Sequence, residues 1–156
     1  MIEIERKFLV SSNRYRKLAS RKSILVQGYL NSDPERTVRV RLKNQSGYIA
    51  IKGKSCEGGL SRFEWEKEIS KTDAKALLNL CEDTIISKTR YELIFEGHLF
   101  EVDEFEAANA GLVIAEIELD SENEAFSRPD WLGREVTGDP RYYNSKLSRH
   151  PFSSWS

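Results

Sequence analysis

At 156 residues and 18.0 kDa the chain has the length of one domain. Its 24 basic and 25 acidic side chains give a formal net charge of −1, which excludes a global basic footprint for nucleic acid or membrane, yet charged residues make up 31% of the chain against a usual share of about 25%. No apolar run approaches the ~18 residues of a membrane span, and with no secretory leader and only two cysteines the expected setting is reduced and cytoplasmic.

Period-two alternation dominates and predicts strands over Ile2–Val10, Ile24–Leu30, Thr37–Lys43, Tyr48–Lys54, Arg62–Ile69, Lys88–Phe95, Leu99–Phe105 and Leu112–Leu119. Turn residues separate many of them: Asp33-Pro34, Asn44–Gly47, Glu57-Gly58-Gly59, Glu96-Gly97 and Asn109–Gly111. Ser12–Ala19 is a candidate helix. Ser70 or Thr72 would cap a second, whose Ala74, Leu77, Leu78 and Cys81 form an apolar stripe. Ser121-x-x-Glu124 reads as a capping box before a short helix ended by Pro129, and Asp139-Pro140 as the start of a last helix reaching about His150. With no repeat and no linker, residues 1–150 are expected to form a single mainly β domain with a few helices, followed by a tail over 151–156. Eight strands with short hairpin links suffice to close an antiparallel barrel.

Because side chains alternate across a strand, the charges sort by face. Glu3, Glu5 and Lys7 oppose Ile2, Ile4, Phe8 and Val10; Arg39, Arg41 and Lys43 oppose Val38, Val40 and Leu42; Lys52 shares its parity with Tyr48 and Lys54. Arg62, Glu64, Glu66 and Glu68 oppose Phe63, Trp65 and Ile69, Lys88 and Arg90 oppose Tyr91 and Leu93, Glu101 and Asp103 oppose Phe100 and Val102, and Glu116 and Glu118 oppose Ala115 and Ile117. Arg6, Lys67 and Glu104 break the pattern. A solvated face is ordinary for one antiparallel strand. Repeated blocks of like charge are not, since like charges opposite one another destabilise a sheet. Turning these faces inward solves the problem: acidic and basic strands then face each other across a lumen, with the apolar faces outside under helices. Such a lumen is costly when empty. It suits a hard cation held by carboxylates together with an anion held by arginine forks, that is, a metal–polyphosphate ligand.

The same residues resemble the CYTH family, the triphosphate tunnel metalloenzymes. The first ten residues, MIEIERKFLV, are similar to its Glu-x-Glu-x-Lys signature. Gln27–Leu30, Val38–Arg41, Ile51–Gly53, Glu64-x-Glu66-x-Glu68, Lys88–Tyr91, Glu101–Asp103, Ala115–Leu119 and Glu135–Asp139 follow in the family's order. The resemblance implies a closed eight-stranded barrel whose tunnel binds a triphosphate with Mg2+ or Mn2+. It implies phosphate contacts from Lys7, Arg39, Arg41, Lys52, Lys88 and Arg90. Metal or its waters would be held by Glu3, Glu5, Asp103, Glu116 and Glu118, with Glu64, Glu66 and Glu101 as outer partners. Glu3 and Glu5 are the candidates to position the attacking water, with Lys7 between them and the phosphate. Tyr29, which shares a face with Gln27, is a candidate proton acceptor or a tyrosine that simply hydrogen-bonds within the barrel.

The remaining chemistry-bearing residues read as structural. His98 and His150 lack ligand spacing and are expected at the surface. Cys56 and Cys81 lack a partner histidine, and Trp65 and Trp131 are expected in packing. Tyr142-Tyr143-Asn144 would close one tunnel mouth or pack the last helix, and Lys43 and Lys54 would sit at the rim or outside it. The expected activity is hydrolysis of tripolyphosphate or of a nucleoside or organic triphosphate. The alternatives are an adenylate cyclase and a non-catalytic polyphosphate- or triphosphate-binding module. A small-molecule triphosphate is the expected partner, with no DNA or membrane, on a monomer or homodimer.

Overall fold

Nine strands carry the alternation seen in the sequence: β1 (Ile2–Val10), β2 (Arg21–Asn31), β3 (Arg36–Lys43), β4 (Ser46–Gly53), β5 (Ser61–Ile69), β6 (Glu82–Phe95), β7 (His98–Phe105), β8 (Val113–Glu118) and β9 (Leu132–Glu135). They belong to a computed structural model that describes residues 2–155; Met1 and Ser156, at the outer ends of the first motif and of the expected tail, lie outside the described residues. The strands pair in the order β5-β4-β3-β2-β6-β7-β8-β1-β9. Antiparallel pairing of Ile2, Glu3 and Ile4 with Phe63, Arg62 and Ser61 then joins β1 to β5. Eight strands thus close into the expected antiparallel barrel.

The ninth strand, β9, was not expected. β5 accompanies β1 only as far as Ile4, and β9 takes over the same edge at Phe8 and Val10. An edge that would otherwise present unpaired backbone groups is covered. Arg6, one of the charges out of pattern, is the clasp: it grips the Glu135 carboxylate through Nε at 2.8 Å and Nη2 at 2.6 Å and lies over the Phe126 ring. Glu104, another, accepts from the Tyr15 hydroxyl and from Arg16.

The larger apolar core lies outside the barrel. Phe8, Tyr91, Leu93, Phe100, Val102, Ala115 and Ile117 point outward from β1, β6, β7 and β8. Tyr15 of helix α1 (Tyr15–Leu18) and Trp131, completely buried just before β9, cover them. A second helix, α2 (Lys71–Leu78), packs on the outer face of β2–β4 with Ala74 fully buried. Ser70 is its cap, its hydroxyl accepting the Asp73 N–H at 3.0 Å. Ser70→Ala should therefore cost about 1 kcal/mol in urea unfolding.

Three expectations are corrected. Residues 119–131 form no helix. The Glu124 carboxylate accepts from the Asp120 N–H and pairs with His98 Nε2 at 2.6 Å, and no helix follows it. The last helix does not run from Asp139 to His150. Asp139 does cap, accepting the Arg141 N–H, but only one 3-10 turn follows (Pro140–Tyr142). The backbone is extended at Tyr143, and a short helix α3 (Asn144–Leu147) restarts in a new direction. Finally, helices do not cover the whole outer surface: Ile2, Ile51, Phe63 and Trp65 remain exposed on β1, β4 and β5, Trp65 at 37%. Beyond α3, Phe152 and Trp155 meet edge to face, and Trp155 packs on Tyr142 in the same way.

The second core closes one end of the barrel. Ile86, Phe105 and Ile114 share their strands' inward faces with Lys88, Asp103 and Glu116, two residues away. They pack with Leu112, Val136, Tyr142 and Leu147, and Leu9 joins them from β1. The lumen thus ends on an apolar plug instead of running through.

Candidate active site

The inward faces enclose a cavity of about 290 Å³ lined by side chains from all eight strands of the barrel. Parity places them: Glu3, Glu5 and Lys7 from β1, Tyr29 and Gln27 from β2, Arg39 and Arg41 from β3, Lys52 from β4, Glu64 and Glu66 from β5, Lys88 and Arg90 from β6, Glu101 from β7, Glu116 and Glu118 from β8.

Charge is graded along its depth. Lys88 and Asp103, each 1% exposed, lie against the plug, whereas Glu118 and Glu66 stand exposed at the mouth. Asp103 spends both oxygens on cations: Oδ1 accepts from Arg90 Nε at 2.8 Å, and Oδ2 from Arg90 Nη2 at 2.9 Å and Lys88 Nζ at 2.7 Å. Burial opposes its ionisation, but Arg90 and Lys88 overcome that and hold the carboxyl down at about 2. For Lys88, burial outweighs Asp103 and, helped by Arg90 and Arg41, brings the ammonium down to about 7. Burial and the neighbouring Arg39 and Arg90 also pull Arg41 below its ordinary value. The deep end thus holds more positive charge than its single carboxylate neutralises.

Toward the mouth the carboxylates take over. Lys52 Nζ bridges Glu3 at 3.1 Å and Glu64 at 3.2 Å, Arg39 Nη2 donates to Glu66 at 2.8 Å, and Lys7 Nζ stands 3.8 Å from Glu116. Burial, Glu116 and Glu3 crowd the Glu5 carboxyl and raise it to about 8. Glu116 is also opposed by burial, yet Lys7 and Arg90 keep it well below the usual carboxylate range. Burial and like charge thus favour the protonated form of Glu5, while Lys7 and Arg90 favour the charged form of Glu116.

Residues 1–146 match the CYTH domain. The chain belongs to that family. Two curated relatives are named inorganic triphosphatase. That of Acetivibrio thermocellus is 52% identical over 155 residues, covering 98% of this chain and 97% of the relative. That of Nitrosomonas europaea is 40% identical over 151 residues, covering 95% and 97%. Among solved structures, the crystal structure of the inorganic triphosphatase NE1496 superposes with a TM-score of 0.66 at 35% identity, over 94% of this chain and 97% of that one.

In this CYTH protein, every residue read from the sequence as a phosphate or metal contact borders the cavity except Asp103, which lies behind the wall. Both Asp103 oxygens accept from cations, Arg90 and Lys88, so the carboxylate holds those two side chains in place. Tyr29 is buried in the wall. Further lining residues were given no phosphate or metal contact in the sequence reading. Arg62 stands 3.9 Å from Glu3, and Lys43 3.5 Å from Glu92. Arg62 shares the parity of Glu64 and Glu66, and Lys43 that of Arg41, so parity put both on the charged faces, with Lys43 expected at the rim or outside it. Tyr143 and Asn144, expected either to close one tunnel mouth or to pack the last helix, border the cavity from the segment that carries the plug.

The donors near the mouth are all carboxylate oxygens, the set a hard divalent cation takes. Among the described residues no three acidic, Cys or His side chains already converge as ligands. Glu3 and Glu116 are instead turned to Lys52 and Lys7. The raised Glu5 carboxyl marks where negative charge is in excess, and Glu3, Glu5, Glu116 and Glu118 fit a cation there. Cys56 and Cys81 are free thiols, and His98 is half-buried against Phe126. None of the three lines the cavity.

Proposed function

We propose that this barrel is a metal-dependent triphosphatase that cleaves a terminal phosphoanhydride bond of inorganic tripolyphosphate. The observation that carries the reading is the capped, cation-rich cavity. Lys88, Arg41, Arg39 and Arg90 surround a space of about 290 Å³, and buried Arg39 Nε has no partner among the described residues. A buried donor left unpaired costs about 1–3 kcal/mol unless a ligand takes it. An anion with many oxygens is the ligand that such a wall satisfies, and the names of the two curated relatives support a triphosphate.

The cations bind and orient the phosphate chain and stabilise the charge that grows on the departing pyrophosphate. Mg2+ or Mn2+, held by Glu3, Glu5, Glu116 and Glu118, would supply Lewis-acid neutralisation of phosphate oxygens. Beside Glu3, Glu5 and Lys7 lies a crevice of about 10 Å³ bordered by Thr137 and Gly138, close to the least space that holds one water. Glu3 and Glu5 orient that water, and the Glu5 carboxylate, once relieved of its proton, accepts another from it. Tyr29 is the alternative acceptor. Lys7 lies between this crevice and the main cavity, bordering both.

Purified protein should release one orthophosphate and one pyrophosphate from each tripolyphosphate when Mg2+ or Mn2+ is added. Tripolyphosphate at about 100 times its Kd should add about 2.7 kcal/mol of stability, read as a rise in melting temperature. Formation of cyclic AMP from ATP, or tight binding with no phosphate release under any metal, would overturn the reading.

A further inference from the structure

The deep wall contains a neutral side chain that the barrel strands do not supply. Asn144, the first residue of α3, enters the capped end of the cavity. Its Oδ1 accepts from Lys88 Nζ at 2.8 Å and from Gln27 Nε2 at 3.1 Å. Gln27 in turn accepts from Arg41 Nε at 2.9 Å through its own Oε1. Arg41 can only donate, so both amides are fixed in turn: Gln27 must turn its oxygen to Arg41 and hence its N–H groups to Asn144, whose oxygen therefore faces Gln27 and Lys88. Asn144 is therefore left with its two Nδ2 N–H donors, which have no partner among the described residues, on a side chain that borders the lumen.

We propose that Asn144 is a substrate-binding residue, whose carboxamide oxygen seats Lys88 and Gln27 while its amide N–H groups donate to the phosphate lodged at the capped end. This rests on the triphosphatase reading. It assigns the capped end to a phosphate group and makes the C-terminal segment part of the site. The extended break at Tyr143 gains a reason as well: a helix running on from Pro140 would not have restarted at Asn144 in this direction.

The test compares Asn144→Asp with Asn144→Ala, each checked for native melting temperature. Tripolyphosphate binding is measured by calorimetry in EDTA, and KM and kcat are measured with Mg2+. Asp keeps the acceptor for Lys88 and Gln27 but replaces the free N–H groups with negative charge. If those donors bind phosphate, Asp weakens metal-free binding and raises KM by about tenfold or more, the scale of a lost hydrogen bond to a charged group. Ala is expected to weaken both as well. Should the Ala variant fail to fold, Asn144→Gln replaces it and should retain part of the binding that Asp loses. Wild-type affinity and KM in the Asp variant would overturn the proposal, leaving Asn144 a packing residue, while wild-type hydrolysis would still uphold the triphosphatase reading. A wild-type protein that neither binds nor hydrolyses tripolyphosphate would overturn both.

Discussion

Asp103→Asn should cost about 3–5 kcal/mol in guanidinium unfolding, the range for removing one partner of a buried ion pair. The carboxylate is 1% exposed and anchors Lys88 and Arg90 through contacts of 2.7–2.9 Å. An amide in its place turns N–H donors toward donors and leaves Lys88, Arg90 and Arg41 without their shared counter-charge. Wild-type stability should also show the acid signature of this group. Its carboxyl sits at about 2, below the ordinary value of 3.8, so its contribution is present above about pH 4 and is lost as pH falls toward 2. The variant should lack that slope. It should also gain more melting temperature from tripolyphosphate than wild type does, since the ligand replaces the missing negative charge. A loss under about 1 kcal/mol would mean that the deep cations are not held by Asp103.

The second large effect separates activity from stability. Glu5→Gln should reduce tripolyphosphate turnover by at least about 10²-fold, the lower end of what a positioned acid or base contributes. Metal-free stability should not suffer, because glutamine resembles the protonated carboxyl that the folded protein already prefers. The sign follows from the direction of the shift. The folded carboxyl is raised to about 8 from an ordinary 4.5, so the folded state holds a proton that the unfolded chain releases. Metal-free wild-type protein should lose stability as pH rises from about 4.5 to 8 and level off above that, and the Gln variant should be flatter across this window. Near-normal turnover would remove Glu5 from the chemistry. An unchanged pH slope would remove the crowding of Glu5 by Glu116.

Much of this molecule was legible because alternation is local. Eight strands and the inward direction of their charges followed from parity, as did the cavity positions of Lys7, Arg39, Lys52 and Glu116. The capped end was legible in part: Tyr142-Tyr143-Asn144 was expected to close one tunnel mouth or to pack the last helix, and the inward faces carry a further sign of it. Lys7-x-Leu9, Ile86-x-Lys88, Asp103-x-Phe105 and Ile114-x-Glu116 each switch from charged to apolar on the inward parity. Once the strand order is known, the four apolar members meet. What the sequence pattern did not carry depends on contacts distant in the chain. β9 exists because β5 leaves the edge of β1, and Arg6 is out of pattern because Glu135 lies 129 residues away. The helix expected after Ser121 does not form, and Glu124 pairs with His98, a residue of β7. Asn144 reaches the cavity only because the chain breaks at Tyr143.

The apolar stopper has a consequence for traffic. Substrate and both cleavage fragments must share the mouth flanked by Glu66 and Glu118. Passage is then last in, first out: the outer fragment has to depart before the inner one is free to follow, and the sequence of release is set by architecture before any affinity is considered.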